Sequence, residues 1–561
     1  MPAEAQATAV GTYNSLYFDY AHHPFQRAPE LDGEERLYPV IIAGAGPVGM
    51  TVALDLARRG IEVVLLEEDD TVNRGSRAVG IARRSLEIFE RAGTGPGIFE
   101  TGISWKGGQS YYRDSLVLDF VVQQADNLRH PPMVSIAQCN VEQYLYEALQ
   151  NHPNASIRWS SKLVSARQDG EEVIASVATP QGQYDMRGEW LVACDGGRSA
   201  VRKALGKELK GSSYEGRYLI VDIQMKSSQP AGRRVWFAPP EFPGIIMHKQ
   251  PFDIWRIDYQ LGPDDDLDEE VHPRRVRERV DRFLKSIGET ADWAIDWISP
   301  YRALSLSLDS YREGRVLFAG DAAHLVPIFG ARGMNGGVDD ANNLAWKLAY
   351  VVSGWCDDAL LDSYSSERVD AAHQNMAFAE KSTRFMTPPT FGHAVLQEAI
   401  LSLAAKEPFI RDLINPRQVT ELRMTAGPLR FDDADDIRFA GGPLPGAVCP
   451  NLPLCTDGPG DHLQGRLGRD FTLLLFQKTD TTAAEEMRAR IERMNIPFGI
   501  DVVQIRDASL YAAFDAQDGT AYLVRPDGHV AGRWRQFNAD TTLDRLLKAI
   551  RCKTMESRHV D

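Results

Sequence analysis

Basic residues are in the minority in this chain. Lys and Arg total 62 against 78 Asp and Glu in 561 residues, a formal net charge of −16. An acidic chain with no long basic run lacks the electrostatic footprint for nucleic acid or an anionic membrane surface, so neither partner is expected. Long apolar runs are missing too. No stretch approaches the roughly 20 apolar residues needed to span a bilayer. The first 35 residues lack a basic start followed by an apolar run, so no secretory signal is expected. Cysteine is sparse, with Cys139, Cys194, Cys356, Cys449, Cys455 and Cys552 as the full set. None form CxxC or a Cys/His cluster, which predicts no metal site and no dithiol chemistry. Cys449 and Cys455 are close but meet neither redox nor zinc spacing. Scattered cysteines in a long chain read as reduced thiols of a cytoplasmic protein, not a disulfide framework.

What the chain does have is a sharp change of pattern at Tyr38. Residues 1–35 are polar, with Tyr17, Phe18, Tyr20 and Phe25 but no period, and read as an irregular arm packed on the body. YPVIIAGAGPVGM is then a buried strand entering a glycine turn, TVALDLARRG a helix, and IEVVLLEEDD a second strand ending in acids. This βαβ unit predicts a parallel sheet. Gly44-Ala45-Gly46-Pro47-Val48-Gly49 is GxGxxG in the context that chemistry requires. The first glycine permits the turn, the second lets a pyrophosphate approach, and the third lets helix pack on strand. The phosphates sit on the helix N-terminus. Glu67 closes the second strand, where a carboxylate accepts ribose hydroxyls, and Glu68 is the weaker candidate. This motif alone does not separate FAD from NAD.

Two distant segments narrow that choice. LVACDGGRSAVR (191–202) and GRVLFAGDAAH (314–324) each place an Asp beside Gly after an apolar strand. In a doubly wound sheet that is the ligand-binding end. Asp321 is suited to a ribityl hydroxyl. Glycines beyond it allow backbone N–H groups near Asn335 and Gly336 to face a flavin and stabilise its reduced, anionic form. Between about 212 and 300 the chain is β-rich and aromatic (RRVWFAPP, GIIMHKQ, DIWRIDYQL), which suits an antiparallel pocket wall, interrupted by a helix over 269–287. Residues 82–92, 139–150, DDANNLAWKLAYVV and LLDSYSSERVDAAHQNMAFAEKS predict helices. Beyond a Gly-, Pro- and Asp-rich stretch at 424–465, FTLLLFQK, IDVVQIRD, TAYLVRPDGHVAGRW and LDRLLKAIR predict a separate small α/β domain.

GAGPVG with Glu67, CDGGRS at 194–199 and GDAAH at 320–324 followed by GMN together resemble the flavoprotein aromatic hydroxylases. These are the single-component FAD-dependent monooxygenases, among them 4-hydroxybenzoate, phenol and 3-(3-hydroxyphenyl)propionate hydroxylases. The resemblance covers roughly residues 38–385. It implies an α/β fold in which a Rossmann-like FAD-binding domain (36–108, 128–208 and 300–395) is interleaved with a β-sheet substrate domain (109–127 and 209–299). An N-terminal arm (1–35), a helical connector (396–430) and a thioredoxin-like domain without CxxC (431–555) complete it. It further implies that Gly44, Gly46, Pro47, Gly49 and Glu67 hold the ADP half of FAD, and that Arg77 meets its phosphates. Gln138 is implied as an FAD contact, Asp195 as a link to FAD and NAD(P)H, and Gly320 and Asp321 as the ribityl site. Gly333, Met334 and Asn335 would border the isoalloxazine ring, while Tyr364, Glu367 and Arg368 resemble a structural pattern.

The implied reaction is hydroxylation of a small phenol with NAD(P)H and O2 through a flavin C4a-hydroperoxide, by an enzyme expected to be a homodimer. A dehydrogenase or oxidase of the same fold, or a non-catalytic flavin-binding protein, are the alternatives. Substrate residues are the open part. Alternation in DIWRIDYQL puts Trp255, Ile257 and Tyr259 on one face and Arg256 and Asp258 on the other. Arg256 is a candidate for a substrate carboxylate, with an Arg–Asp structural pair as the competing reading. His248 is a candidate for phenol deprotonation, set against a structural role. Family members often carry two prolines after GDAAH; here Pro327 is followed by Ile328, which makes the substrate pose less transferable. His324 is expected in a turn role, and Trp293 and Trp297 as core aromatics.

Overall fold

A computed structural model describes residues 14–122, 128–239, 242–262, 264–327, 329–414, 422–432, 434–454, 461–478 and 482–553. The apolar strand Leu37–Ala43 lies at the centre of a mixed sheet, between Gly182–Ala193 and Val63–Leu66 and parallel to both. Ala155–Arg158 and Val316–Phe318 extend the parallel part on the two sides. Val40, Ile41 and Ile42 have no solvent exposure, as expected for a strand covered on both faces. The helix Pro47–Arg58 packs beside Gln138–Leu149 and Gly333–Val352. The contact with the latter is close because Gly320 and Gly337 leave room for Val48: a Cβ on either would come within 2.9 Å of its Cγ2.

The chain leaves this sheet to build a second, eight-stranded one. Its strands are antiparallel except for Gly107–Tyr112 beside Arg233–Phe237. Period-2 alternation divides its two faces. Leu219, Val221, Trp255, Ile257 and Tyr259 pack under Val276, Val280 and Phe283 of the helix Pro273–Ser286. The opposite face carries Asp222, His248, Arg256 and Asp258, and it looks towards the first sheet's domain. The helix expected over 269–287 is two, Leu267–Glu270 and Pro273–Ser286. Pro273 has no N–H to continue the first, and takes the opening position of the second, where His272 Nδ1 accepts from Arg274 N–H at 3.3 Å.

The C-terminal domain is a four-stranded sheet in the order Ile500–Ile505, Phe471–Phe476, Ala521–Val524, Val530–Trp534. Leu473 and Leu475 face the helix Ala539–Ala549, whereas Leu474 and Phe476 face Ala508–Ala513, so each side has its own core. A buried ionic chain docks it. Arg525 donates to both oxygens of Glu367 at 2.9 and 2.7 Å and to Asp527 at 2.6 Å, and Lys347 donates to Glu367 at 2.8 Å. Of the cysteines, Cys139, Cys356 and Cys449 are buried, Cys194 and Cys552 are half-buried, and Cys455 lies outside the described residues. Among the described residues no helix is long and apolar enough to cross a membrane, and no His, Cys, Asp and Glu cluster is suited to a metal ion.

The described part of the arm is a strap across both large domains. Ser15 Oγ and Leu16 N–H donate to Asp296 at 2.9 and 2.6 Å, and Tyr17 stacks on Phe252, all on the second sheet's side. Tyr20 Oη accepts from Gly75 N–H at 2.9 Å, and His23 stacks on Trp159, on the first sheet's side.

Candidate functional site

The glycine loop is shaped by sterics that can be tested position by position. Gly44 has φ +93°, and a Cβ there would lie 2.5 Å from the Cys194 carbonyl oxygen. A Cβ on Gly49 would lie 2.0 Å from the Gly44 carbonyl oxygen. Both therefore need glycine for the protein's own packing. A Cβ on Gly46 would meet no protein atom, so the open space in front of it suits a ligand's close approach. Glu67 turns into this loop, accepting from Ala45 N–H at 2.8 Å and Asp69 N–H at 3.1 Å. Burial pushes its carboxyl up to about 6, against those two backbone donors. Gln138 opens its helix, accepts from Ala78 N–H at 3.4 Å and donates to Glu142 at 2.8 Å. Glu142 is buried, which pushes it up to about 8.

The two Asp-Gly turns meet next to this loop. Arg202 joins them, donating to Gly197 O at 2.5 Å and Ala322 O at 3.0 Å. Asp195 accepts from Val201 N–H at 3.1 Å through Oδ2, and its buried Oδ1 has no hydrogen-bond partner. Asp321 is solvent-accessible yet deeply set among protein atoms. That low-polarity setting raises its carboxyl, with His324, Arg77 and Arg202 opposing. Arg77 is exposed on the same cleft. Gly333 opens a 20-residue helix with no side-chain cap. The Asn335 side chain clamps that helix start, accepting from Ala82 N–H at 2.9 Å and Ser85 Oγ–H at 2.7 Å, and donating to Gly80 O at 2.8 Å and Ala331 O at 2.6 Å. The first helical N–H groups, at Gly333 and Met334, lack intrahelical acceptors. A Cβ on Gly333 would again meet nothing. Two open glycine positions, the orphaned Asp195 oxygen and accessible Asp321 thus fit an extended dinucleotide whose two ends sit on two helix N-termini.

A second cavity opens between the second sheet, the loop before Gly333 and the end of the helix Leu360–Met386. Val235 and Phe237 of the second sheet form its floor, and Phe329 of the loop before Gly333 forms one side. Phe385, Met386 and Ile414 close it from the far side. Ser110, Arg233, Lys381 and Ser382 supply its polar groups. Tyr301 Oη–H donates to Val326 O at 3.1 Å, and Tyr218 meets Phe329 edge-on, so sheet and loop are tied together.

The sequence matches the FAD binding domain family over residues 37–379 and the aromatic-ring hydroxylase C-terminal family over residues 442–552. The chain belongs to the FAD-dependent aromatic hydroxylases. A 12-dehydrotetracycline 5-monooxygenase/anhydrotetracycline 6-monooxygenase of Streptomyces rimosus is 30% identical to the hydroxylase over 530 residues, 92% of this chain and 98% of the relative. A 3-(3-hydroxy-phenyl)propionate/3-hydroxycinnamic acid hydroxylase of Mycolicibacterium smegmatis is 27% identical over 523 residues, 88% and 90% of the two chains. Among solved structures, the anhydrotetracycline hydroxylase OxyS from Streptomyces rimosus superposes with a TM-score of 0.71 at 26% identity, covering 92% of the hydroxylase and 99% of that chain. The flavin-dependent monooxygenase PieE in complex with FAD and substrate shares the fold, with a TM-score of 0.77, 24% identity and the same coverage.

The structure corrects one substrate candidate of the hydroxylase. Arg256 is not turned to a ligand: it pairs with Asp222 at 2.9 and 2.7 Å and donates to Ser76 O at 2.6 Å and Arg77 O at 2.8 Å. It is a buried strut between the second sheet and the loop that carries Arg77. His248 lies beside it across the strands, held well below the usual imidazole range by burial and by the Arg233 and Arg256 charges, so it is neutral and a poor base. Pro327 is buried in the loop that precedes Gly333, and Ile328 lies outside the described residues. His324 Nε2–H donates at 2.6 Å to Asp340, which also accepts from Arg368 at 2.6 Å and Gly320 N–H at 3.1 Å. Burial alone would raise Asp340, but His324 and Arg368 hold it below the usual carboxylate range. Trp297 packs against Gly75, where a Cβ would come within 2.3 Å of the indole. Arg202 and Arg233 carry positions that sequence reasoning passed over. The only signal for Arg233 was a pair of arginines in an otherwise apolar strand, RRVWF.

Proposed function

We propose that this hydroxylase inserts one oxygen atom of O2 into the ring of a small phenol, with NAD(P)H as reductant and FAD bound along the track from Gly46 to Gly333. The observation that carries this reading is the cavity beside Phe329, in the loop that leads into Gly333, walled by aromatic and aliphatic side chains. Mostly apolar walls with a few polar groups suit a small aromatic ligand. Bound FAD supplies the redox chemistry, taking a hydride from NAD(P)H and activating O2.

The chain's own residues bind, orient and exclude water. Gly44, Gly46, Pro47, Gly49 and Glu67 take the ADP half, with Arg77, Gln138, Asp195 and Asp321 along its length. Asn335, fixed by four hydrogen bonds, holds Gly333 and Met334 N–H towards the ring, where they stabilise negative charge. The cavity's apolar walls keep bulk water from the reacting face. No nucleophilic side chain is needed. The test is NAD(P)H consumption by the flavin-loaded protein with and without a panel of phenols, followed by product analysis. Stimulated consumption with a catechol or hydroquinone product supports the reading. Stimulation without a hydroxylated product points to dehydrogenation or uncoupled oxidase activity.

A further inference from the structure

Arg233 has the features of an unmet ionic contact. It lies on the strand Arg233–Phe237, is 4% exposed, and lines the cavity. Its Nη1 is buried with no hydrogen-bond partner. The charges around it do not supply one. Arg256 on a nearby strand is satisfied by Asp222 and by two carbonyls. His248 is neutral. Asp258 acts on Arg233 through space, its buried Oδ1 is itself unpartnered, and burial pushes its carboxyl up to about 7, which weakens it as a counter-ion. Burial also pulls the Arg233 guanidinium down to about 10, still protonated near neutral pH. Lys381 at the rim is a second cation, and no carboxylate lines the cavity among the described residues. A buried guanidinium left without an anion is costly, and a bidentate carboxylate is the partner that best satisfies its planar fork.

We infer that Arg233 determines substrate specificity by binding a carboxylate on the side chain of the phenol, with Lys381 adding attraction at the entrance. This deepens the hydroxylase reading and rests on it. The remainder of the cavity, with Val235, Phe237, Phe329 and Phe385, then grips the ring.

The test uses the flavin-loaded protein and reads binding from the change in flavin absorbance, with two isosteric probes: 3-(3-hydroxyphenyl)propionate and its primary amide. The wild type should bind the acid at least about tenfold more tightly than the amide. Arg233→Met should weaken the acid about tenfold or more and the amide less than threefold. Arg233→Lys should recover part of the difference, and KM should move more than kcat. Equal affinity for acid and amide in the wild type, which needs no variant, overturns the anchor. So does an Arg233→Met protein that retains FAD and loses both probes alike. Hydroxylation of uncharged phenols with no preference for the acid sinks the anchor and leaves the hydroxylase reading standing. Tight, Arg233-dependent binding of the acid without ring hydroxylation of any phenol does the reverse.

Discussion

Arg256 and Arg233 sit on adjacent parts of one sheet face and have opposite fates. Arg256 is saturated by Asp222 and two carbonyls, so removing its charge strands a buried carboxylate. Arg256→Met should therefore lower stability by about 3–5 kcal/mol, read by thermal or urea unfolding, with little selectivity between charged and neutral phenols. A residue that bound substrate would give the opposite pattern. Asp321 is the residue on which cofactor retention should turn. Asp321→Ala should weaken FAD by roughly 10- to 100-fold, the worth of a charged hydrogen bond, measured as the flavin-to-protein ratio after dialysis. Glu142 makes a pH prediction. Its carboxyl is pushed up to about 8, so the folded state holds a proton that the unfolded chain has already released. Its contribution is full below the ordinary glutamate value and is lost as pH rises towards 8. Stability should fall across that window by at most about 1.4 kcal/mol per pH unit from this group. Glu142→Gln should flatten the slope in a series of urea melts.

Elements differ in how far sequence alone exposes them, and the difference is one of range. The glycine turn was legible because strand, turn and helix follow one another in sequence and Gly49 is forced by the turn's own Gly44 carbonyl, whereas the contact that forces Gly44, the Cys194 carbonyl, comes from far along the chain. The faces of Ile254–Gln260 were legible because a strand's period is two, and Trp255, Ile257 and Tyr259 do share the helix-covered side. The break at Pro273 was missed because the charged, periodic pattern runs straight through it, although the ring's missing N–H dictates the stop. The importance of Arg233 was not legible, since the same RRV places Arg234 against Trp236 and Trp255 under the helix and Arg233 in the cavity. Which of the two points inward depends on pairing with Gly107–Tyr112, far away in sequence. The arm gives a prediction of its own. Because it ties Asp296 and Phe252 to Gly75, in the loop that leads to Arg77, removing residues 1–27 should speed FAD dissociation severalfold without unfolding the core. Stopped-flow transfer of FAD to an excess of an apo-flavoprotein acceptor measures that rate.

At the scale of the whole molecule, the second sheet and the end of the helix Leu360–Met386 enclose the cavity, and a third domain braces that helix and Gly333–Val352 behind it. The brace is ionic and buried, with Glu367 receiving both Lys347 and Arg525. Such a link couples domains more than it stabilises either, because each partner alone is an uncompensated charge. The intact protein should accordingly unfold in one calorimetric transition, and Arg525→Met should split it in two, with the C-terminal domain melting first. Isotope tracing tests the central claim, oxygen transfer to a phenol held in that cavity, most directly. The flavin-loaded protein, NAD(P)H and a turnover-supporting phenol are incubated under 18O2 and the product is analysed by mass spectrometry. The account predicts one 18O atom in the new ring hydroxyl, in step with NAD(P)H oxidised. Label confined to hydrogen peroxide, or a product oxygen drawn from water, would contradict it.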